Sequence, residues 1–122
     1  MILSGNTDLH LKNWSIYYPK RVAPRLAPAY DLVATVPFIA KRTTALRLAR
    51  ENQLSVLSLA HFREATKGLD PLRDEVDGIV RATVVAAMAA WRGGLRAEMD
   101  PRYVAAMDGL HPDSALLRDL RA

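Results

Sequence analysis

Gly5-Asn6-Thr7-Asp8-Leu9-His10-Leu11-Lys12-Asn13-Trp14-Ser15-Ile16-Tyr17-Tyr18 is the stretch that decides how this chain folds. Its end, Trp14 to Tyr18, is short, aromatic and β-branched, the composition of a strand. Pro19-Lys20-Arg21-Val22-Ala23-Pro24-Arg25 follows with two prolines, which break helix and ladder alike and so mark a turn. Leu26 to Val33 can return as the partner strand, with Pro28 at an edge or unpaired position because it has no N–H to donate. The stretch predicts a loop that feeds a β-hairpin.

Beyond the hairpin the periodicity changes. Val36 to Arg50 fits two readings: Thr44-Ala45-Leu46-Arg47-Leu48 alternates as a strand does, while the nearby Ala and Arg also tolerate helix. Ser58 is placed to cap a helix through Phe62 and Ala65 to Lys67, with Gly68 as its left-handed stop. Asp70-Pro71 is a second cap, because proline at the first helical position loses a donor that had no partner. From Leu72, residues at spacings of three and four, Val76, Ile79, Val80, Thr83, Val84, Ala87, Met88 and Trp91, form one continuous apolar stripe ended by Gly93-Gly94. Asp100-Pro101 caps a shorter helix to Asp108 and Gly109, and Pro112 opens a last one through Leu116, Leu117 and Leu120. Trp14, Met88 and Trp91 read as core, with Tyr17 and Tyr18 filling the two hairpin faces. His61 and His111 read as surface or capping residues. The expected fold class is mainly α with a β-hairpin.

The chain has 122 residues and no cysteine, which removes disulfides, thiolate nucleophiles and every Cys-based zinc site. Its length suits one small domain spanning 1–122, with the loop and hairpin in 1–50 and the helical part in 51–122. There is no run of eighteen apolar residues and the start MILSGNTDLH breaks early, so neither a membrane span nor a secretory signal is expected and the cytoplasm is the default location. The formal charge is +4, unevenly placed: residues 1–50 carry eight bases and two acids, and 51–122 carry nine bases and eleven acids. A basic front suits an anionic ligand such as a nucleotide phosphate, or is simply a solvated face. Aromatic residues interleave little with the bases, so direct nucleic-acid binding is not expected.

The densest chemistry lies in residues 5–13 and in Tyr30-Asp31. Phosphoryl transfer from a nucleotide needs a carboxylate to orient and accept the proton of the attacking hydroxyl, and oxygen ligands to hold magnesium on the phosphates. Asp8 suits the base, with Asn13 and Asp31 as metal ligands. Eighteen residues separate Asn13 from Asp31, the length of two short strands and a turn, which returns Asp31 to the side of Asn13. Asp8, His10 and Asp31 also form a set that could bind a transition metal, although Lys12 would put a competing cation beside it. No G-x-S-x-G is present for a serine hydrolase.

GNTDLHLKNWSIYY followed by RLAPAYDLV resembles the HipA family of bacterial serine/threonine kinases. In that family the catalytic loop reads N-x-D-x-H-x-K-N and the metal-binding aspartate lies in a P-x-Y-D segment. Asn6, Asp8, His10, Lys12 and Asn13 fill every fixed position of the loop, and Pro28-Ala29-Tyr30-Asp31 fits the second motif. The resemblance implies a partial C-lobe of a protein-kinase-like fold with Asp8 as the catalytic aspartate. It implies that His10, Lys12 and Asn13 line the nucleotide phosphates, that Tyr30 and Asp31 flank the nucleotide, and that Asn13 and Asp31 bind Mg²⁺. Lys12 also makes sense as a counter-charge to the transferring phosphoryl group. By the same resemblance the cofactors are Mg²⁺ and ATP. The substrate is a protein, such as an aminoacyl-tRNA synthetase, and the partner of such toxins is a helix-turn-helix antitoxin.

Kinases of this type also carry, upstream of the catalytic loop, a glycine-rich loop over the phosphates and a lysine for the α/β-phosphates. Only seven residues precede Asp8, and no G-x-G-x-x-G or Walker A pattern occurs. The expectation is a C-terminal portion of a HipA-like kinase, from a truncated or split gene or a late start. It would be inactive without an N-terminal ATP-binding lobe supplied by a partner chain. The alternative is a non-catalytic module whose helical part docks an antitoxin or another protein. An apolar face left open beside the loop favours the first reading and a covered one the second.

Overall fold

The computed structural model describes residues 2–69 and 71–120. Among them, the chain runs through a short 3-10 turn at Leu11–Asn13, strands β1 (Ile16–Tyr17) and β2 (Arg25–Leu26), strands β3 (Thr43–Leu48) and β4 (Glu51–Gln53), and then helices. These are α1 (Leu59–Ala65), α2 (Leu72–Ala90), α3 (Arg96–Glu98), α4 (Pro101–Leu110) and α5 (Ala115–Asp119). The architecture is mainly α with two small antiparallel hairpins, β1-β2 and β3-β4.

The first hairpin is shorter than the sequence predicts. Ile16 pairs with Leu26 and Tyr17 with Arg25, and the Ala27 N–H adds a last bond to the Ser15 carbonyl at 2.8 Å. Pairing stops there because Pro28 has no donor to continue the ladder, so Leu32 and Val33 are not strand. The turn takes Lys20 and Arg21 at positive φ. Trp14 is exposed, not core, where the hairpin stands off from α2 across a cavity of about 550 Å³, and Tyr17 and Tyr18 on the hairpin are exposed as well. Of the two readings of Val36 to Arg50, strand holds over Thr43–Leu48.

The helical part holds the core. Leu54 and Leu57 are fully buried, and Val80, Val84 and Trp91 of the α2 stripe pack with Met107, Leu116 and Leu117. Ile79 and Leu72, also on that stripe, are exposed. Ser58 caps α1: its N–H donates to Nδ1 of His61 at 3.2 Å, so His61 is a capping residue as expected. Gly68, at φ +82°, follows the end of α1. The cap expected from Asp70 lies outside the described residues; Pro71 flanks α2, which begins at Leu72. At the far end α2 passes into a π-turn over Trp91–Leu95, with Gly94 departing from helical geometry. The Asp100 side chain accepts from Arg102 N at 2.8 Å, the expected cap of α4.

The last helix starts later than Pro112, capped by Ser114. Its first turn is docked rather than solvated. The Ala115 and Leu116 N–H groups donate to the carbonyls of Ser55 and Leu57 at 3.0 and 3.1 Å. In return Asp119 accepts from the first helical N–H of α1, at Leu59, at 3.1 Å. His111 is the C-cap of α4, one of the two roles expected of it, but it is not a surface residue: it is buried against Trp91, edge to face, and its Nε2 donates to the Leu3 carbonyl at 3.1 Å.

Candidate functional site

Gly5 opens the loop at φ +61°, and a Cβ there would meet Val36 Cγ2 at 2.5 Å. The close approach lets the Gly5 carbonyl accept from Thr35 N and Val36 N, both at 3.1 Å. Thr35 Oγ1 donates to that same carbonyl at 3.1 Å. It also accepts from the Thr7 N–H and lies 2.7 Å from Thr7 Oγ1, which must then be the donor of that pair. One hydroxyl thus stitches the segment after Asp31 to the loop before Asp8. Leu110 of α4 lies behind Gly5, and Phe38 meets Tyr103 of α4 edge to face, so α4 backs this junction.

Within the loop, side chains do the work that a ladder does elsewhere. The buried Asn6 accepts from Asp8 N through Oδ1 at 2.9 Å and donates through Nδ2 to the Asp31 carbonyl at 3.2 Å. Asn13, also buried, accepts from His10 N at 2.8 Å, which closes the 3-10 turn. Its Nδ2 donates to the Asp31 carboxylate. The Tyr30 hydroxyl donates to the Lys12 carbonyl at 2.8 Å and lies 2.7 Å from Ser15 Oγ, bracing the base of the hairpin.

The six residues singled out in sequence therefore lie on one short loop and the end of the hairpin. Asn13 and Asp31 meet directly. Tyr30 reaches Lys12 through the backbone, and Asp8 is tied to Asp31 through Asn6. The carboxylate of Asp8 and the ammonium of Lys12 are exposed on this loop. His10 is half-buried, and its Nδ1 has no hydrogen-bond partner among the described residues. Sequence reasoning gave Asn6 no role of its own and missed Thr7 and Thr35. Asn6 could have been found as a polar residue two before Asp8, the spacing at which Asn bonds the backbone ahead of it; nothing in the sequence marks the Thr7–Thr35 pair.

Among the described residues no three His, Cys, Asp or Glu side chains converge, so the Asp8, His10 and Asp31 set for a transition metal is not assembled. What is assembled is one carboxylate beside one carboxamide. That donor set fits Mg²⁺, which takes one or two carboxylates and completes its shell with water and phosphate oxygens.

A profile of the HipA-like C-terminal domain matches residues 1–91. The chain belongs to this HipA-like family. It is 42% identical over 93 residues to "Putative kinase Y4dM" of Sinorhizobium fredii, covering 73% of this chain and 22% of that protein. To "Putative kinase Y4mE" of the same organism it is 32% identical over 91 residues, 70% of this chain and 21% of the relative. A "Putative kinase" of Haemophilus influenzae is 56% identical over 36 residues, 30% of this chain and 10% of that protein. The HipA-like chain thus spans about a fifth of the length of its Sinorhizobium relatives. No solved structure matches it at a significant level. No helix among the described residues is long and apolar enough to cross a membrane.

Proposed function

We propose that this chain carries the catalytic and metal-binding part of a HipA-like serine/threonine protein kinase, the C-lobe portion of such an enzyme. The observation that carries the reading is the contact of Asn13 with Asp31 beside an exposed Asp8 on the same loop. In this reading Asp8 accepts the proton of the attacking protein hydroxyl. Asn13 and Asp31 offer the oxygens that hold Mg²⁺, and Lys12 offsets negative charge on the transferring phosphoryl group. His10 and Tyr30 line the nucleotide side of the loop. Bound Mg²⁺-ATP supplies the phosphoryl group and the charge neutralisation that transfer requires.

The reading includes further polypeptide that completes the nucleotide site. Its support is the open apolar surface beside the loop: Trp14, Leu26 and Leu32 face Phe62, Ile79 and Val84 across the 550 Å³ cavity. An apolar recess of that size is a place for another chain segment to pack. This observation favours a kinase portion over a free-standing docking module.

The test is phosphate incorporation from ATP by the chain alone and after mixing with the N-terminal remainder of the Y4dM relative. Transfer is expected only in the mixture. Asp8→Asn should lower it by about 100-fold or more, and Asp31→Ala should lower it too and raise the Mg²⁺ concentration that it needs. Full activity of Asp8→Asn in the mixture would overturn the assignment of the base. Robust transfer by the chain alone would overturn the need for further polypeptide.

A further inference from the structure

Asp31 sits at φ +56°, in the left-handed region, which aspartate tolerates better than most residues with a Cβ but which its unfolded chain would populate only in part. Two carboxamides from one loop hold it, and they act on different groups. Asn13 takes the carboxylate, and Asn6 takes the backbone carbonyl. Asn6 is 2% exposed, so neither end of its side chain has water as a substitute partner. Its other end fixes the Asp8 N–H, so one rigid amide spans the backbone at both carboxylates of the loop.

We propose that Asn6 is a positioning residue: it holds Asp31 in its left-handed conformation and sets the backbone of Asp8 and of Asp31 at a fixed separation. A carboxamide is the side chain of this size that offers an acceptor and a donor together. Aspartate would set a carboxylate against the Asp31 carbonyl. Serine would keep an acceptor for the Asp8 N–H, two residues on, but would be too short to reach Asp31. The Thr7–Thr35 stitch cannot replace the bond, because it ties the chain four residues beyond Asp31. The catalytic meaning of this arrangement rests on the kinase reading above; the conformational claim does not.

The experiment is solution NMR of the full chain, wild type and Asn6→Ser. In the wild type, the backbone coupling and Cα shift of Asp31 should report the left-handed conformation, and the Asn6 side-chain amide protons should exchange more slowly than those of an exposed amide. In Asn6→Ser the Asp31 signature should disappear while the amide signals of Leu54, Leu57 and Leu117 stay in place, a local change that a general packing defect would not give. Retention of the wild-type Asp31 conformation in a folded Asn6→Ser chain overturns the proposal. If that variant does not fold, the wild-type exchange measurement decides, and an Asn6 amide exchanging at the free rate overturns it.

Mn²⁺ added to the same samples separates this inference from the kinase reading. Broadening centred on Asn13 and Asp31 should weaken by about 10- to 100-fold in apparent affinity in Asn6→Ser, the range for losing a partner that orients a metal ligand. No broadening in the wild type would count against the metal role of Asp31, while the Asp31 conformation still decides the role of Asn6.

Discussion

The loop and hairpin of residues 2–42 and the helical part from Leu54 onward are built on opposite terms. In the helical part apolar side chains face inward, with Leu54 and Leu57 fully buried and α5 docked over them. In the front part Trp14, Ile16, Leu26 and Leu32 are exposed; Ile2 and Val36 reach the core, and the other buried side chains are polar: Asn6, Thr7 and Asn13. Packing is cooperative, so damage in the helical part spreads. A hydrogen bond is directional and local, so damage in the loop stays at the loop. The candidate site thus owes its geometry to a few amides and hydroxyls, and its stability to a core several residues away.

Truncation in the core should have the largest effect. Leu57→Ala should lower global stability by about 2–5 kcal/mol in urea denaturation and move helical and loop probes together. A loop probe that stayed at its wild-type midpoint would show that the two parts unfold separately. Thr35→Val comes next. It keeps the shape but strips the hydroxyl from Gly5 O, Thr7 N and Thr7 Oγ1, at a cost of about 1–3 kcal/mol. Amide hydrogen exchange should rise at residues 5–7 and 35–36 and stay unchanged at Leu57; a uniform rise would break the contrast drawn here.

The smallest effect belongs to the α1–α2 ion pair, where Arg63 grips Asp77 through Nε at 3.0 and 3.1 Å. Arg63 holds the Asp77 carboxyl below its ordinary 3.8. A carboxyl with a depressed folded value stabilises the fold above the ordinary value and stops doing so as pH falls through the depressed one. Thermal midpoints of wild type and Asp77→Asn should therefore differ slightly at neutral pH and converge as pH falls through the depressed value of Asp77. Arg63 is exposed and Asp77 only half-buried, so water screens the pair and keeps the difference small. A gap that widened in acid would contradict the sign.

The same contrast explains what the sequence made legible. Helices with caps and a 3.6-residue stripe declare themselves, and Ser58, Asp100 and the run from Val76 to Trp91 do so here. The meeting of Asn13 with Asp31 was also legible, because eighteen residues with prolines between them leave a hairpin few other shapes. The exposure of Trp14, Tyr17 and Tyr18 was not, since aromatic composition reports a tendency to be covered and not what covers it. Nor was the burial of His111, which depends on Leu3, 108 residues earlier in the chain.

That last bond has a consequence for how the molecule comes into being. The His111–Leu3 tie, 108 positions apart along the chain, and Leu110 behind Gly5 join the loop to a distant segment. Both partners from α4 and its cap lie past residue 91, where the family match stops. A nascent chain leaving the ribosome can form α1 and much of α2 early, yet the loop bearing Asp8 gains its backing only when Leu110 and His111 emerge. The setting of the loop is thus completed by α4, made well after it, and not by its neighbours in sequence alone.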